Sequence, residues 1–166
     1  MRYAGLIKED FENGIGVGCT LFVQGCSRHC PGCFNPETWD FEGGKEFTPI
    51  VKHEIFEELK KRYVSRFTLL GGEPLEKANV KDCTELLAEI ATVFPWISIW
   101  IYSSYTFEEI LDDHDKLACI MYGNVLVDGR FIESKKDPSL QFRGSSNQRV
   151  INIWKSIETG NAELLL

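Results

Sequence analysis

Three closely spaced cysteines, Cys26, Cys30 and Cys33, are the residues of this sequence best suited to chemistry. They follow the short apolar run Cys19–Val23, so we expect their loop to extend from the end of a buried strand. Thiolates are soft ligands that select zinc, copper or iron–sulfur clusters. A cubane cluster normally takes four cysteines, one for each iron. Three ligands without an obvious fourth therefore predict a [4Fe–4S] cluster with one iron open to a small molecule.

A zinc site and a set of reactive thiols are the alternatives for the same cysteines. A zinc site would need His29 or Cys19 as its fourth ligand. His29 is adjacent to Cys30, and neighbouring side chains rarely point at one ion. Cys19 lies seven residues before Cys26, an odd separation that places it on the opposite face of a regular strand. The spacing therefore favours the open cluster over zinc, and zinc over reactive thiols.

Length, charge and cysteine content limit the class of protein. The 166 residues are enough for one domain, over residues 1–166, with its own core. A net charge of −7 argues against nucleic-acid and anionic-membrane partners, which need a basic surface. Six cysteines in a chain of this size do not indicate a secreted disulfide scaffold. The amino terminus has no apolar signal segment, and the longest apolar run, residues 94–102, is half a membrane span. We therefore expect a cytoplasmic protein.

A Gly-Gly-Glu-Pro turn after the expected strand Arg66–Leu70 is the second feature with chemical potential. Gly71 and Gly72 allow the backbone to approach a ligand closely. Glu73 would lie beside them as a fixed acceptor for an ammonium group. Taken alone, this pattern is more typical of a tight turn with a solvated glutamate. Its position after the next strand along the chain is what favours a ligand site.

Strands and amphipathic helices alternate along the chain. Thr48-Pro49 is a helix start, and Thr106–Glu109 is a capping box. Two apolar stripes at helical spacing are Val51, Ile55, Leu59 and Tyr63, and then Val80, Cys83, Leu86, Leu87 and Ile90. Further strands are expected at residues 3–7, 97–102, 124–128 and 150–153, and the tail from Ser156 is expected to be a weak helix or disordered.

This alternation predicts an α/β fold with a parallel sheet and right-handed crossovers. A full eight-fold barrel needs about 250 residues, so we expect a partial, open (β/α) barrel of about five strands. The carboxyl ends of its strands would bring four segments to one rim. They are the cysteine loop, Gly71–Glu73, Ser103–Tyr105 and Asp128.

The roles of Asp128 and of the polar run Arg143–Gln148 each have two interpretations. Asp128 ends an expected strand, where it could meet a ligand hydroxyl or cap the turn. The run Arg143–Gln148 is rich in side-chain donors and indicates either a solvated connection or a surface for a ligand or partner.

The cysteine motif followed by Gly71-Gly72-Glu73 resembles the radical S-adenosylmethionine superfamily. Most of the chain is similar, in the same order, to the activating proteins of anaerobic (class III) ribonucleoside-triphosphate reductases. The segments that carry this resemblance are Asn13-Gly14, Leu21–Cys26, Cys30–Asn35, Thr38-Trp39, Val125–Gly129 and Arg143–Gln148. The chain departs from the usual patterns at Ile15, at Gly32 and at Tyr102–Tyr105, which stands where the family often has Trp-Thr-Gly-Tyr.

The resemblance implies an enzyme, its cofactors and its partners. Cys26, Cys30 and Cys33 would hold three irons, and the fourth would bind S-adenosylmethionine. Gly71, Gly72 and Glu73 would receive its methionine amino end, and Gly32, Cys33 and Phe34 would face its adenine. Reductive cleavage would give a 5′-deoxyadenosyl radical, which would generate a glycyl radical on the large subunit of the reductase. A flavodoxin or ferredoxin-like protein would supply the electron.

Two other functions remain open from the sequence. One is a radical enzyme that acts on another glycyl-radical enzyme or on a small molecule. The other is a non-catalytic, metal-stabilised binding subunit of a reductase complex.

Overall fold

The computed structural model describes the whole chain, residues 1–166. Seven strands form one open sheet in the order β3-β1-β2-β4-β5-β6-β7. The strands are β1 (Arg2–Asp10), β2 (Gly18–Val23), β3 (Lys45–Glu46), β4 (Arg66–Gly71), β5 (Ser98–Tyr102), β6 (Val125–Asp128) and β7 (Arg149–Asn152). The helices are α1 (Pro49–Leu59), α2 (Val80–Val93), α3 (Phe107–Leu111), α4 (His114–Ile120) and α5 (Ile153–Thr159).

The predicted α/β class is confirmed, but the strand number and the purely parallel sheet are wrong. Strands β2, β4, β5 and β6 are parallel, whereas β1, β3 and β7 pair antiparallel at the two sides. The connection between β1 and β2, residues 11–17, is too short for a crossover and can only join antiparallel neighbours. No helix of the structure is long and apolar enough to cross a membrane.

The two predicted helical stripes pack on the sheet, with one exception. Val51, Ile55 and Leu59 of α1 are buried, as are all five stripe residues of α2. Tyr63 lies beyond the end of α1 and is 52% exposed, so its place in the stripe is wrong. The chain turns after Lys60 to enter β4, and Val64 rather than Tyr63 reaches the core.

The carboxyl-terminal tail is ordered against β7. Helix α5 begins at Ile153 because the Asn152 side chain accepts a hydrogen bond from the Lys155 amide and ends the strand. Beyond α5, the amide of Leu165 donates to the carbonyl of Val150 at 2.7 Å. The tail from Ser156 is therefore helical at its start, as one of the two expectations has it, and the alternative of a disordered tail is wrong because β7 offers the later residues backbone partners.

A buried ion pair lies near the amino ends of β2 and β4. Arg66 is fully buried, and its guanidinium lies 3.2 Å from the Asp10 carboxylate. Thr20 and Asn13 also donate to that carboxylate. Gly14 packs against Arg66, where a Cβ would lie 2.6 Å from the Arg66 Cδ. This glycine therefore serves packing and the turn between β1 and β2.

Candidate functional site

One cleft collects most of the residues predicted to do chemistry, at the carboxyl ends of β2, β4, β5 and β6. Its volume is ≈ 720 Å³, including the space open to solvent. The predicted site residues among its lining are Cys26, Cys30, Cys33, Phe34, Gly71, Gly72 and Glu73. Gly32 is the one predicted contact that does not line the cleft. Folding therefore brings two segments about 40 residues apart in sequence into one site, as the parallel topology predicts.

Each of the three cysteine sulfurs receives an N–H donor. The backbone amides of Arg28 and His29 donate to the Cys26 thiol, and the Asn35 amide donates to Cys33 Sγ at 3.4 Å. Cys30 Sγ instead accepts from a side chain, the Nε of Arg130, at 3.3 Å. Burial raises the pKa of Cys26 to about 11, and metal coordination would overcome this because a ligating thiol is deprotonated outright. Sulfurs with such donors are typical of cluster ligands.

Neither proposed fourth zinc ligand is placed to complete a zinc site. The ring of His29 stacks on Trp39, with centroids 4.6 Å apart. Cys19 is fully buried in the core, where burial raises the pKa of its thiol to about 12. No group of three or more His, Cys, Asp or Glu side chains is close enough to hold a single ion. Three cysteine thiols that line one cleft are a soft donor set, which fits an iron–sulfur cluster.

The two glycines before Glu73 are needed for packing against the start of the cysteine loop. A Cβ on Gly72 would lie 2.5 Å from the Gly25 carbonyl oxygen, and Gly71 has φ +114°. The Glu73 amide donates to the same Gly25 carbonyl at 2.9 Å. The close approach that these glycines allow is therefore an approach to the backbone that enters the cysteine loop.

Glu73 is 1% exposed, so the alternative of a solvated glutamate is wrong. One carboxylate oxygen accepts from the Leu75 amide at 3.0 Å and from Ser103 Oγ at 2.8 Å. The other accepts from the amide and the hydroxyl of Ser104, at 2.7 and 2.5 Å. Burial raises the pKa of Glu73, and these donors offset part of that rise. The carboxylate is thus a fixed charge in the wall of the cleft, with two donors on each oxygen.

The aromatic side of the cleft is formed by Phe34 and Phe131. Phe34 is 59% exposed, and its ring centroid lies 5.1 Å from that of Phe131. Gly144 supports this pair from behind, since a Cβ there would lie 2.6 Å from the Phe34 ring. An exposed aromatic face beside the cysteines is suited to stacking against a planar ring.

The run Arg143–Gln148 folds back on the end of β6. The Gln148 side-chain oxygen accepts from the Gly144 and Ser145 amides, and its nitrogen donates to the Gly129 carbonyl at 2.9 Å. Asn147 donates to the Arg130 carbonyl at 2.8 Å. The side chains of Asn147 and Gln148 therefore donate hydrogen bonds within the protein, to the segment that follows β6.

Asp128 is a structural residue, but its carboxylate binds the start of α3 and Arg149 rather than capping its own turn. It is fully buried and does not line the cleft. Its carboxylate accepts from the Phe107 amide at 2.7 Å and from Arg149 Nε at 3.0 Å. These contacts join the start of α3 to β6 and β7.

Comparison with known proteins agrees with the cysteine chemistry. A family model described as "4Fe-4S single cluster domain" matches residues 12–151. The anaerobic ribonucleoside-triphosphate reductase-activating protein of Escherichia coli (strain K12) is 40% identical over 152 residues, which cover 90% of this chain and 97% of that protein. The chain belongs to this activating-protein family. The namesake proteins of Vibrio cholerae and Enterobacteria phage T4 are 38% and 35% identical, covering 89% and 93% of this chain and 96% and 99% of their own.

Sequence reasoning missed the contacts of three residues at or next to this cleft. Ser103 and Ser104 were grouped with the rim, but nothing in their spacing showed that they hold Glu73. Arg130 was not singled out at all, although it directly follows the strand end Asp128-Gly129. Its position just past a parallel strand was the one available signal.

Proposed function

We propose that this chain is a radical S-adenosylmethionine activase that generates the glycyl radical on an anaerobic ribonucleoside-triphosphate reductase. The observation that carries the proposal is the cleft in which three N–H-bonded cysteine sulfurs face the Glu73 turn, in a chain whose relatives are named for activating that reductase. When bound, a reduced [4Fe–4S] cluster supplies one electron to S-adenosylmethionine, whose cleavage yields methionine and a 5′-deoxyadenosyl radical that takes a hydrogen atom from a reductase glycine.

The residues of the chain would bind and orient these groups. Cys26, Cys30 and Cys33 would hold three irons and leave the fourth free for S-adenosylmethionine. The buried charge of Glu73 would attract the methionine ammonium group to that wall of the cleft, where Gly71 and Gly72 add backbone carbonyls.

The adenine would lie on the opposite side of the cleft. The exposed ring of Phe34 offers it a stacking face, and Gly32 and Cys33 directly precede Phe34 in the chain. Gly32 would act only through its neighbours, because it does not itself line the cleft.

The proposal also covers the domain, the partners and the cellular compartment of the reaction. Residues 1–166 would act as one domain, because one sheet joins β1 to β7, and that open sheet would correspond to a partial radical S-adenosylmethionine barrel. The partners would be the large subunit of the reductase and a flavodoxin or ferredoxin-like electron donor. The cytoplasm would keep the cluster thiols reduced.

The test is formation of 5′-deoxyadenosine by anaerobically reconstituted protein with dithionite and S-adenosylmethionine, with and without a class III reductase. We expect product with the wild type, together with a glycyl radical signal when the reductase is present. Cys30→Ala should lose both, whereas Cys83→Ala, which removes a core thiol outside the cleft, should keep its iron.

Two results would count against the proposal. Protein with a full iron complement that forms no 5′-deoxyadenosine would favour a non-catalytic, metal-stabilised binding subunit. Zinc in place of iron would contradict the cluster itself.

A further inference from the structure

The three cysteine sulfurs differ in the kind of donor that they accept. Cys26 and Cys33 accept from backbone amides within or next to the cysteine loop, and these amides are neutral. Cys30 accepts from the guanidinium Nε of Arg130, which is 100 residues away in sequence. A hydrogen bond from a charged donor is stronger than one from a neutral amide. Among the three sulfurs, Cys30 Sγ is thus the one whose hydrogen-bond donor is a cationic side chain.

The position of Arg130 is determined from two sides. Its terminal NH2 group donates to the carbonyl of Arg28, within the cysteine loop, at 2.7 Å. Its own carbonyl accepts from Asn147, and the preceding carbonyl, of Gly129, accepts from Gln148. The polar run Arg143–Gln148 therefore holds the backbone from which Arg130 reaches Cys30.

The charge of Arg130 is not neutralised by a carboxylate. None of the ion pairs in the structure includes Arg130, whereas nearby Arg149 pairs with both Asp128 and Glu108. Arg28, a second cation, lies within the cysteine loop and lines the cleft, but its Nε donates to Ser104 Oγ at 3.1 Å and its guanidinium lies 4.1 Å from the centroid of the Tyr105 ring. Arg130, although exposed to solvent, thus brings a cation that no carboxylate pairs within hydrogen-bond distance of one sulfur of the cleft.

We propose that Arg130 tunes the cluster by raising its reduction potential through the charged hydrogen bond to Cys30, an inference that rests on the proposed function. Reduction adds one negative charge to the cluster and its thiolate ligands, so a fixed cation at a ligand sulfur stabilises the reduced form. Hydrogen bonds to the sulfurs and net charge are established determinants of cluster potential. This role of Arg130 also gives a reason for the hydrogen bonds from Asn147 and Gln148 to the segment after β6.

The test is a redox titration of the reconstituted protein, followed by the electron paramagnetic resonance signal of the reduced cluster, without reductase. Arg130→Met removes charge and donor, and Arg130→Lys keeps the charge. Arg62→Met removes one exposed cation outside the cleft and is the matched control. Iron content is measured for each variant, so that a missing cluster is distinguished from an altered one.

We expect Arg130→Met to disfavour the reduced form about tenfold, which for a one-electron couple lowers the potential by about 59 mV. Arg130→Lys should stay close to the wild type, and Arg62→Met should equal it. The proposal is overturned if Arg130→Met keeps its iron and the wild-type potential, or if Arg130→Lys falls as far as Arg130→Met. It is also overturned if neither variant assembles a cluster, since Arg130 would then be needed for assembly. A wild type without iron would instead refute the proposed function.

Discussion

Glu73→Gln is the substitution that tests most directly how this cleft is held together. Each carboxylate oxygen of Glu73 accepts from one backbone amide, Leu75 on one side and Ser104 on the other. A glutamine has one oxygen and one NH2 group, and either orientation places the NH2 group against a backbone N–H. Ser103 and Ser104 can rotate their hydroxyls to accept, but the two amides cannot. One buried amide therefore always loses its acceptor.

Two costs and one partial recovery determine the size of the change in stability. A buried donor left unpaired costs about 1–3 kcal/mol, and the lost charge-assisted hydrogen bond is worth about 1.5–3 kcal/mol. Glutamine is neutral, so the variant avoids the desolvation cost of burying the Glu73 carboxylate, which offsets part of the loss. The same desolvation raises the pKa of Glu73. We therefore expect a net destabilisation of about 2 kcal/mol at pH 7, which is roughly 4–8 °C in the unfolding midpoint for a chain of this length.

The effect should also depend on pH with a definite sign. The folded state raises the pKa of Glu73, so it binds the proton more tightly than the unfolded chain does. Wild-type stability from this group therefore rises as pH falls from the folded pKa towards the unfolded value of about 4.3. Glu73→Gln lacks this contribution, and a protonated carboxyl, unlike an NH2 group, still accepts from the amides. The gap between variant and wild type should widen as pH falls.

The assay is anaerobic thermal unfolding of the reconstituted proteins, followed by circular dichroism at pH 7 and at pH 5. Glu85→Gln, on the exposed side of α2, is the control and should stay within about 0.5 kcal/mol of the wild type. A Glu73→Gln variant with the wild-type midpoint would refute the reasoning, because some other acceptor would then satisfy the amides. A gap that narrows towards pH 5 would show that the pKa of Glu73 is not raised.

Three further substitutions have definite expected outcomes. Burial raises the pKa of Asp10, but the donors around it and the charge of Arg66 outweigh burial and leave the pKa low. The resulting stability is present above the unfolded pKa of about 3.9 and is lost as pH falls through the folded value, so Asp10→Asn should flatten the acid side of a stability–pH curve. Gly144→Ala should push the exposed Phe34 ring aside and weaken S-adenosylmethionine binding measured by calorimetry, while costing only about 0.5 kcal/mol in stability because the ring can move into solvent. Cys19→Ser should keep the full iron content while costing about 1–3 kcal/mol in urea unfolding, because a buried hydroxyl needs a partner; iron loss would make Cys19 a ligand.

The regular elements of the fold were predictable where the pattern is local. The stripe on α2 and the Thr106–Glu109 capping box depend on residues three or four apart, and both are confirmed. The end of α1 was misplaced by one turn, because Tyr63 continues the apolar spacing although the chain has already turned towards β4. Spacing alone does not show where a helix stops when no glycine or proline marks its end.

The edges of the sheet and the tail were not predictable in this way. The pairing of β1, β3 and β7 depends on which neighbouring strands offer them backbone partners in the finished sheet. The tail beyond α5 is ordered for the same reason, through the Leu165–Val150 hydrogen bond. These hydrogen-bond partners depend on the assembled sheet, so the sequence of the segment itself shows no periodic pattern that predicts them.

The sequence by itself determined the chemistry of this protein. The C-x3-C-x2-C loop and the Gly71–Glu73 turn predicted soft-metal ligation and a ligand site at strand ends, because ligand type and spacing are local properties. Only the tertiary structure decided that Glu73 is a buried charge held by two serines, and that Arg130 donates to Cys30. Those contacts join residues 30 to 100 positions apart, and the order of strands in the sheet alone determines that they meet.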